Sequence, residues 1–392
     1  MHSFDENQGN PGSVDENQGN GRAEIPEMKK SEENNSEKPG APQADSAGTE
    51  PASSQDDSAG KKSGGRTLTW WKILLVAAAF VLLLAVLDLA LYPCTFMRND
   101  IHAITTTHYD DILVGTSHGK MGIDPDTVEE ITGRSMHNAC VGGEYGIDVY
   151  YLVRLAIETQ DPTRIIYEVG PGYFVREKEE GNNYLLFYHE YPLSLTKVEY
   201  FFDCIAETNF RNVLFPWYEY SLSYELPNVT ETFIRKVTGD YSVESLKSDS
   251  QEYHESGFIE SYPIDTSTLQ LTVPNLFTTE AVVEENMEYL EKTIDLCEEN
   301  GIEFIAVITP TPAATLGTWW DNYMEAYEYF AEFFAGKGVT CLNFNTDYYF
   351  EASHEIEDFT DYDGHMNGDA AREFSKVLAS YLNEASGTLA DG

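Results

Sequence analysis

Short apolar runs alternate with amphipathic segments through most of the chain beyond residue 100. Runs of five or six largely apolar residues are typical of buried strands, and they occur at 111–115, 136–141, 164–169, 303–308 and 339–344. Apolar residues at three- and four-residue steps predict helices, which cover 124–132, 145–158, 282–299, 319–336 and 368–383. This alternation predicts an α/β fold, a three-layer α/β/α sandwich around a mostly parallel five-stranded sheet.

Residues from about 175 to 280 interrupt the alternation. The stretch is dense in Tyr and Phe, with the segments LLFYHEYP, EYFF and LFPWYEYSLSYEL. We therefore predict a helical, aromatic-rich insert within a domain of residues 100–386. Its aromatic side chains either pack against one another in a small subdomain or stack on a sugar ring, and packing is the simpler interpretation.

The longest apolar run lies before this domain. Residues 73–87 are apolar without a break, and about 20 such residues span a bilayer. The pattern predicts a single transmembrane helix within 69–92. Basic residues cluster on its N-terminal side, at Lys61, Lys62, Arg66 and Lys72, so the positive-inside rule puts the N-terminus in the cytoplasm and the C-terminal domain outside. A cleaved signal peptide is the alternative, but its charged region would be unusually long and no A-x-A site follows.

The first 66 residues differ in composition from the rest. They hold almost no aromatic residues and contain a near-repeat of ten residues, at 3–12 and 13–22. Such a segment buries too little apolar surface to offset the loss of chain entropy on folding. We therefore predict a disordered cytoplasmic tail over residues 1–66.

Acidic residues dominate the composition, with 67 Asp and Glu against 24 Lys and Arg and a net charge of −43. A domain this acidic repels nucleic acid and anionic lipid surfaces, so neither is expected as a ligand. The five cysteines lack C-x-x-C spacing, which argues against zinc and iron–sulfur sites and leaves one or two disulfides open. The acids around 355–363 either bind a metal ion or are simply solvated, and solvation is the simpler interpretation, so neither a metal ion nor a cofactor is expected.

Two polar segments carry candidate chemistry. In DILVGTSHGKMGID, Ser117 follows a predicted strand, and ligands of parallel α/β sheets bind beyond the carboxyl ends of the strands. In DYDGHMNGDAA, His365 precedes the last predicted helix, and Asp361 and Asp363 lie within four residues of it. A serine nucleophile needs a general base and an acid that orients the base. Either acid can serve, and Asp361 is preferred because its position leaves room for the chain to fold back onto the imidazole. His118 is expected in a structural or substrate-contacting role.

These segments resemble those of a known family. A strand ending in Gly-Thr-Ser-His, with an Asp/His pair leading into the last helix, resembles the SGNH/GDSL hydrolase superfamily over roughly 105–175 and 285–385. The similar branch is membrane-anchored and includes the D-alanyl transfer protein of teichoic-acid modification and exopolysaccharide O-acetyltransferases. The resemblance implies a flavodoxin-like, SGNH-type sheet. It also matches NACVGGEYGIDVYYLVRL to the family's second block, with Gly142 or Gly143 at the oxyanion-hole glycine.

The chain departs from the family pattern in two places. The Gly-x-Asn-Asp block of the family has no match, which leaves one oxyanion donor unassigned. The family's acid stands three residues before the histidine, where this chain has Tyr362. Asp361 and Asp363 fall on either side of that position.

The resemblance implies a membrane-anchored serine acyl-transfer enzyme, an O-acyltransferase or an esterase, that acts on a cell-envelope glycopolymer. Ser117 would attack an acyl donor, His365 would take its proton, and the backbone N–H groups of Ser117 and of Gly142 or Gly143 would hold the oxyanion. A membrane-bound acyltransferase is a further expected partner. The alternative is a non-catalytic SGNH-like scaffold that docks such an acyltransferase. The enzyme requires an acid, Asp361 or Asp363, that reaches His365, whereas the scaffold does not.

Overall fold

A computed structural model of the protein describes residues 70–143, 145–178, 185–206, 213, 215 and 226–390. The predicted disordered tail and most of the segment LFPWYEYSLSYEL lie outside the described residues. The strands are β1 (Asp111–Gly115), β2 (Met136–Asn138), β3 (Arg164–Glu168), β4 (Gln251–Tyr253), β5 (Ile259–Ser261), β6 (Glu303–Ile308) and β7 (Thr340–Asn343). The helices are α1 (Trp70–Leu91), α2 (Phe96–Thr106), α3 (Ser117–Gly122), α4 (Pro125–Thr132), α5 (Gly146–Gln160), α6 (Leu186–Glu190), α7 (Leu195–Tyr200), α8 (Leu226–Thr238), α9 (Glu284–Glu299), α10 (Ala313–Thr318), α11 (Trp320–Lys337) and α12 (Gly368–Ala390).

Five strands form the central sheet of the described residues, in the order β2-β1-β3-β6-β7. All neighbouring pairs run parallel, so the predicted five-stranded sheet is confirmed. The order matches that of flavodoxin-like sheets, in which the crevice beyond the carboxyl ends of the central strands is the usual ligand site. The predicted strand at 136–141 is longer than β2, because the Asn138 side chain turns back to accept the N–H of Cys140 at 3.1 Å.

Alternate residues of each strand face opposite helical layers. Ile112, Val114 and Ile165 pack with the buried faces of α2, α5, α9 and α11. Leu113 and Ile166 pack on the other side, with α4 and α12. Because strand side chains alternate with period two, a sheet covered on both faces needs continuous apolar strands. That requirement explains why the interiors of β1, at 112–114, and of β3, at 165–167, are apolar, and the three-layer arrangement confirms the predicted sandwich.

An ion cluster fixes the end of the sheet opposite the carboxyl edge. Asp111, the first residue of β1, is fully buried and receives Arg164 from the start of β3. Arg134 donates to the same carboxylate at 2.6 Å. Arg164 also donates to the carbonyl oxygen of Leu382 in α12, at 3.1 Å. Removing one partner of such a cluster would leave a buried charge unpaired, which is strongly destabilising. These residues therefore stabilise the observed register of β1 and β3.

The region predicted as a helical insert contains α6, α7 and α8, and also the antiparallel hairpin β4–β5. The sequence analysis did not predict this hairpin, because its strands are only three residues long and one of them is polar. The turn between them depends on Gly257, whose φ of +89° favours glycine. Described aromatic side chains of this region pack against other aromatic side chains. The ring of Tyr200 stacks on that of Tyr151 in α5, with the ring centroids 4.3 Å apart.

A buried polar cluster joins α2, α3, β2 and the hairpin. The Asp100 carboxylate accepts hydrogen bonds from Lys120 Nζ at 2.8 Å and from the Tyr253 hydroxyl at 2.6 Å, and His137 Nε2 lies 3.0 Å from it. Lys120 also donates to the carbonyl oxygen of Asn138 at 2.8 Å. Burial raises the pKa of Asp100, but the charges and hydrogen bonds of Lys120 and His137 outweigh it and hold the pKa below its ordinary value. The cluster anchors α3, which begins at Ser117.

Helix α1 is 22 residues long, and its mean hydropathy of 2.9 over 18 residues makes it long and apolar enough to cross a membrane. None of its residues is buried. The five cysteines all lie among the described residues, and no disulfide joins any two of them. The disulfides left open by the sequence are therefore not formed.

Candidate active site

The nucleophile candidate is positioned by a sharp turn at the end of β1. Gly115 has a φ of +138°, and a Cβ at this position would lie 2.3 Å from the carbonyl oxygen of Glu168. Only glycine fits there, since β1 and β3 approach too closely for a side chain. The next residue, Thr116, caps helix α3, because its hydroxyl oxygen accepts the N–H of His118 at 3.3 Å. Ser117 is therefore the first residue of a helix that begins at the carboxyl edge of the sheet.

Glu168 holds this turn from the neighbouring strand, and sequence reasoning missed it. Its Oε2 accepts the Thr116 N–H at 2.8 Å and the Thr116 hydroxyl at 2.7 Å. The side chain is almost wholly buried, with 1% exposed. A glutamate directly after the apolar interior of a predicted buried strand was the available signal, because a buried carboxylate needs hydrogen-bond donors nearby.

The histidine candidate is held by a tight loop. Oδ1 of Asp361 accepts the backbone N–H groups of Asp363, Gly364 and His365, at 2.9, 3.0 and 3.2 Å. Gly364 has a φ of +117°, a conformation that favours glycine. The loop is closed by the Thr360 N–H, which donates to the carbonyl oxygen of His365 at 2.8 Å. Asp361 therefore shapes the loop with one oxygen and leaves the other free for the imidazole.

The serine, the histidine and one acid lie in a single hydrogen-bond chain. Oδ2 of Asp361 lies 2.6 Å from Nδ1 of His365, and Nε2 of His365 lies 2.7 Å from Oγ of Ser117. A carboxylate can only accept, so Nδ1 carries the proton and Nε2 is free to accept the serine hydroxyl. These are the contacts that a serine nucleophile, its general base and the acid that orients the base require.

The pKa values of the histidine and the acid move apart. Burial raises the pKa of Asp361, but the charge and hydrogen bonds of His365 lower that pKa by more than burial raises it. The net pKa lies well below its ordinary value. Burial lowers the pKa of His365, but the Asp361 carboxylate more than compensates, and the net pKa is raised above 6.5. A carboxylate that stays ionised beside a basic imidazole is suited to general-base chemistry.

Asp363, the other acid considered from the sequence, does not contact the His365 imidazole. Its Oδ2 lies 4.0 Å from Nε2 of His118, whose ring centroid is 4.8 Å from that of His365. The charge of Asp363 still contributes to the raised pKa of His365. Asp361 and Asp363 therefore face two different imidazoles.

Gly142 and Gly143, the oxyanion-hole candidates, follow β2 in a turn at the same edge. The Val141 N–H donates to the Gly115 carbonyl oxygen at 2.9 Å, so this segment still pairs with the end of β1 just before Gly142. Gly143 has a φ of +71°, and a Cβ there would meet nothing within 4 Å. The two glycines thus leave the strand beside the turn that presents Ser117.

A cleft that is open to solvent adjoins the hydrogen-bond chain. His118 and Asp363 stand in its wall together with Glu168. The remaining wall combines aromatic, amide and hydroxyl side chains from the loops after β3 and β6, from α11 and from the segment before α9, among them Tyr173, Asn275, Phe277, Thr309, Asn322 and Tyr323. Such a lining can contact both the apolar and the hydroxyl groups of a ligand.

Comparisons with known proteins add little to this geometry. No protein-family model matches the sequence, and no curated protein matches it. Among solved structures, the chain is similar to one from Desulfitobacterium hafniense DCB-2, provisionally described as a lipolytic protein of the G-D-S-L family. The two share 11% identity over 69% of this chain and 98% of the other, with a TM-score of 0.33. A likeness this low supports no transfer of function, so the functional argument depends on the site.

Proposed function

We propose that this protein is a membrane-anchored serine acyl-transfer enzyme, an O-acyltransferase or esterase of the SGNH type. The observation that carries the proposal is the hydrogen-bond chain from Ser117 through His365 to Asp361, at 2.7 and 2.6 Å. Helix α1 would anchor the enzyme, with the N-terminus in the cytoplasm and the α/β domain outside the cell membrane.

The reaction begins at the serine hydroxyl. Nε2 of His365 takes the proton of Ser117 as its Oγ attacks the acyl carbonyl carbon, and the carbonyl π electrons move to oxygen. The resulting imidazolium is stabilised by Asp361. The oxyanion is held by backbone N–H groups, for which Ser117 and Gly142 or Gly143 are the candidates. When the intermediate collapses, His365 gives its proton to the leaving group and an acyl-Ser117 ester remains.

The second half of the reaction repeats these steps with a new nucleophile. His365 removes a proton from water in an esterase, or from a sugar hydroxyl in a transferase, as that oxygen attacks the acyl-serine carbonyl. The proton then returns to Ser117 as the ester bond breaks. The acceptor would approach through the open cleft beside His118 and Asp363, whose aromatic and amide groups suit a sugar.

A cell-envelope glycopolymer is the substrate class we propose. A catalytic domain tethered outside the membrane meets envelope polymers, and the sequence resembles the membrane-anchored enzymes that modify them. The net charge of −43 disfavours nucleic acid as a partner. A scaffold that only docks a membrane acyltransferase would not need an acid on His365, and the 2.6 Å contact of Asp361 favours the enzyme.

A serine-directed fluorophosphonate tests the proposal on the full-length protein in detergent. The reagent forms a covalent bond to an activated serine and releases fluoride, and we expect labelling of the wild type. Ser117→Ala removes the nucleophile and should abolish labelling. His365→Ala should slow it by about 10²-fold or more, since the general base is lost.

Ser380→Ala is the matched control, because Ser380 lies exposed on α12. It should label like the wild type. Full labelling of the Ser117→Ala protein, or none of the wild type, would overturn the enzyme assignment.

A further inference from the structure

Three possible metal ligands converge beside the hydrogen-bond chain. His118, Asp363 and His365 each offer one donor atom, and these atoms all lie within 4.8 Å of one another. The His118 Nε2 atom is buried and has no hydrogen-bond partner among the described residues. Its contact with Asp363, at 4.0 Å, is too long for a hydrogen bond. A buried, unpaired imidazole nitrogen that faces a carboxylate needs an explanation.

The donor set indicates which cation fits. Two imidazole nitrogens and one carboxylate are typical ligands of zinc and its neighbours in the first transition row, whereas magnesium and calcium prefer oxygen donors. Histidines that bind such metals usually donate their other ring N–H to a carboxylate. Nδ1 of His365 already has that arrangement with Asp361, so its Nε2 is the atom available to a metal.

The distances require a small adjustment. Zinc bonds of about 2.0–2.2 Å in a tetrahedral site put neighbouring donors about 3.2–3.6 Å apart. The donors of His118 and Asp363 lie 4.0 Å apart and all three donors lie within 4.8 Å of one another, so they must approach by on the order of 1 Å. The Asp363 side chain is 43% exposed and can change rotamer without disturbing the packed core. The strongly negative domain also raises the local concentration of cations.

We propose that His118, Asp363 and His365 bind a divalent cation of the zinc class, and that the bound cation inhibits the serine chemistry. The cation would occupy the Nε2 lone pair of His365, to which Ser117 otherwise donates. The proton then stays on Ser117, and the hydroxyl remains a weak nucleophile. The inhibitory part of this inference rests on the proposed function, whereas the binding part does not.

Cobalt(II) titration tests the binding. The Co²⁺ ion has visible absorption bands that intensify at low coordination number, so titration of the full-length protein in detergent reports the site directly. We expect saturable bands with one ion per chain in the wild type and in Ser117→Ala, which keeps all three ligands. His118→Gln and Asp363→Asn should weaken binding more than tenfold, because even partners outside the ligand shell contribute about 10- to 100-fold.

Zinc protection against fluorophosphonate tests the inhibition. Zn²⁺ should block labelling of the wild type, EDTA should restore it, and Mg²⁺ should leave it unchanged. Asp363→Asn should need more than ten times as much Zn²⁺ for the same block. Asp369→Asn is the matched control, because Asp369 is an exposed acid of α12, with 87% of its side chain accessible, and should respond like the wild type.

The two proposals fail separately. If the protein binds Co²⁺ through His118 and Asp363 but is never labelled by the fluorophosphonate, the metal-site proposal stands and the proposed enzymatic function is refuted. If the protein is labelled but shows no saturable Co²⁺ bands, the metal-site proposal is refuted. It is also refuted if Zn²⁺ inhibits labelling of His118→Gln and Asp363→Asn as strongly as labelling of the wild type. Asp363→Asn keeps the test valid if His118→Gln does not fold, since Asp363 lies at the surface.

Discussion

Replacing Asp361 by asparagine removes the charge that orients His365 while preserving the size of the side chain. The amide can keep its oxygen on the three backbone N–H groups of the loop, now bonded to Oδ1. Its NH₂ group then faces Nδ1 of His365 in place of Oδ2. Because an amide nitrogen donates, Nδ1 must accept, and the imidazole proton moves to Nε2. Nε2 can no longer take the proton of Ser117.

The expected loss follows from this change of tautomer. In a serine triad with a buried acid, the same substitution costs about 10⁴-fold in rate. The Asp361 side chain is 40% exposed, so water screens part of its charge and can compete for Nδ1. We therefore expect the fluorophosphonate labelling rate to fall by about 10³-fold, which corresponds to about 4 kcal/mol of transition-state stabilisation.

Pseudo-first-order labelling of the full-length protein, followed by in-gel fluorescence, measures this rate. Asp363→Asn is the contrasting variant, since Asp363 contributes charge but no hydrogen bond to His365. Its labelling rate should fall by less than about tenfold. A rate for Asp361→Asn within a few-fold of the wild type, or a larger loss in Asp363→Asn, would refute the assignment of Asp361 as the orienting acid.

Three further predictions concern pH, stability and topology. The labelling rate should fall as the pH drops through the pKa of His365, because only the neutral imidazole accepts a proton. That pKa is raised, so the midpoint should lie above 6.5 and should move down in Asp361→Asn; a midpoint at or below 6.5 in the wild type would contradict the electrostatic argument. Lys120→Met should reduce the free energy of unfolding by about 3 kcal/mol at neutral pH, because it leaves the buried Asp100 carboxylate without its main cation. Because the pKa of Asp100 is depressed in the folded wild type, the stability that the Lys120–Asp100 pair contributes is present above the unfolded-state pKa of Asp100 and is lost on acidification. The difference in unfolding free energy between Lys120→Met and the wild type, measured by urea unfolding, should therefore shrink at low pH. A reporter fused after residue 392 should be active only outside the cytoplasm, and cytoplasmic activity would reverse the proposed topology and remove the envelope substrate.

Several features of this protein could be predicted from local pattern. The strand positions followed from short apolar runs, because a sheet covered on both faces by helices needs apolar residues on both sides of each strand. Helix α1 followed from the unbroken apolar run at 73–87, and the parallel order from the alternation of strands and helices. The hairpin β4–β5 was missed, since two strands of three residues are too short to show a period.

The site depended more on contacts between distant parts of the chain. Sequence proximity alone left Asp361 and Asp363 both open as partners of His365. In the structure, three backbone N–H groups bind one oxygen of Asp361 and turn the other toward Nδ1 of His365, so Asp361 is the acid that contacts the imidazole. Glu168 lies 52 residues from the Thr116 it holds, and no local spacing relates the two.

Ser117 and His365 are separated by 248 residues, so each could be chosen only as a residue of the right chemical type at the end of an element. Periodicity and composition specify which segments are strands and helices, because those depend on neighbours along the chain. The 2.7 Å contact between serine and histidine, and the convergence of His118 and Asp363 beside it, depend on how β1, β3 and the loop before α12 meet at one edge of the sheet. That meeting is a property of tertiary packing, and it converts scattered polar residues into one site.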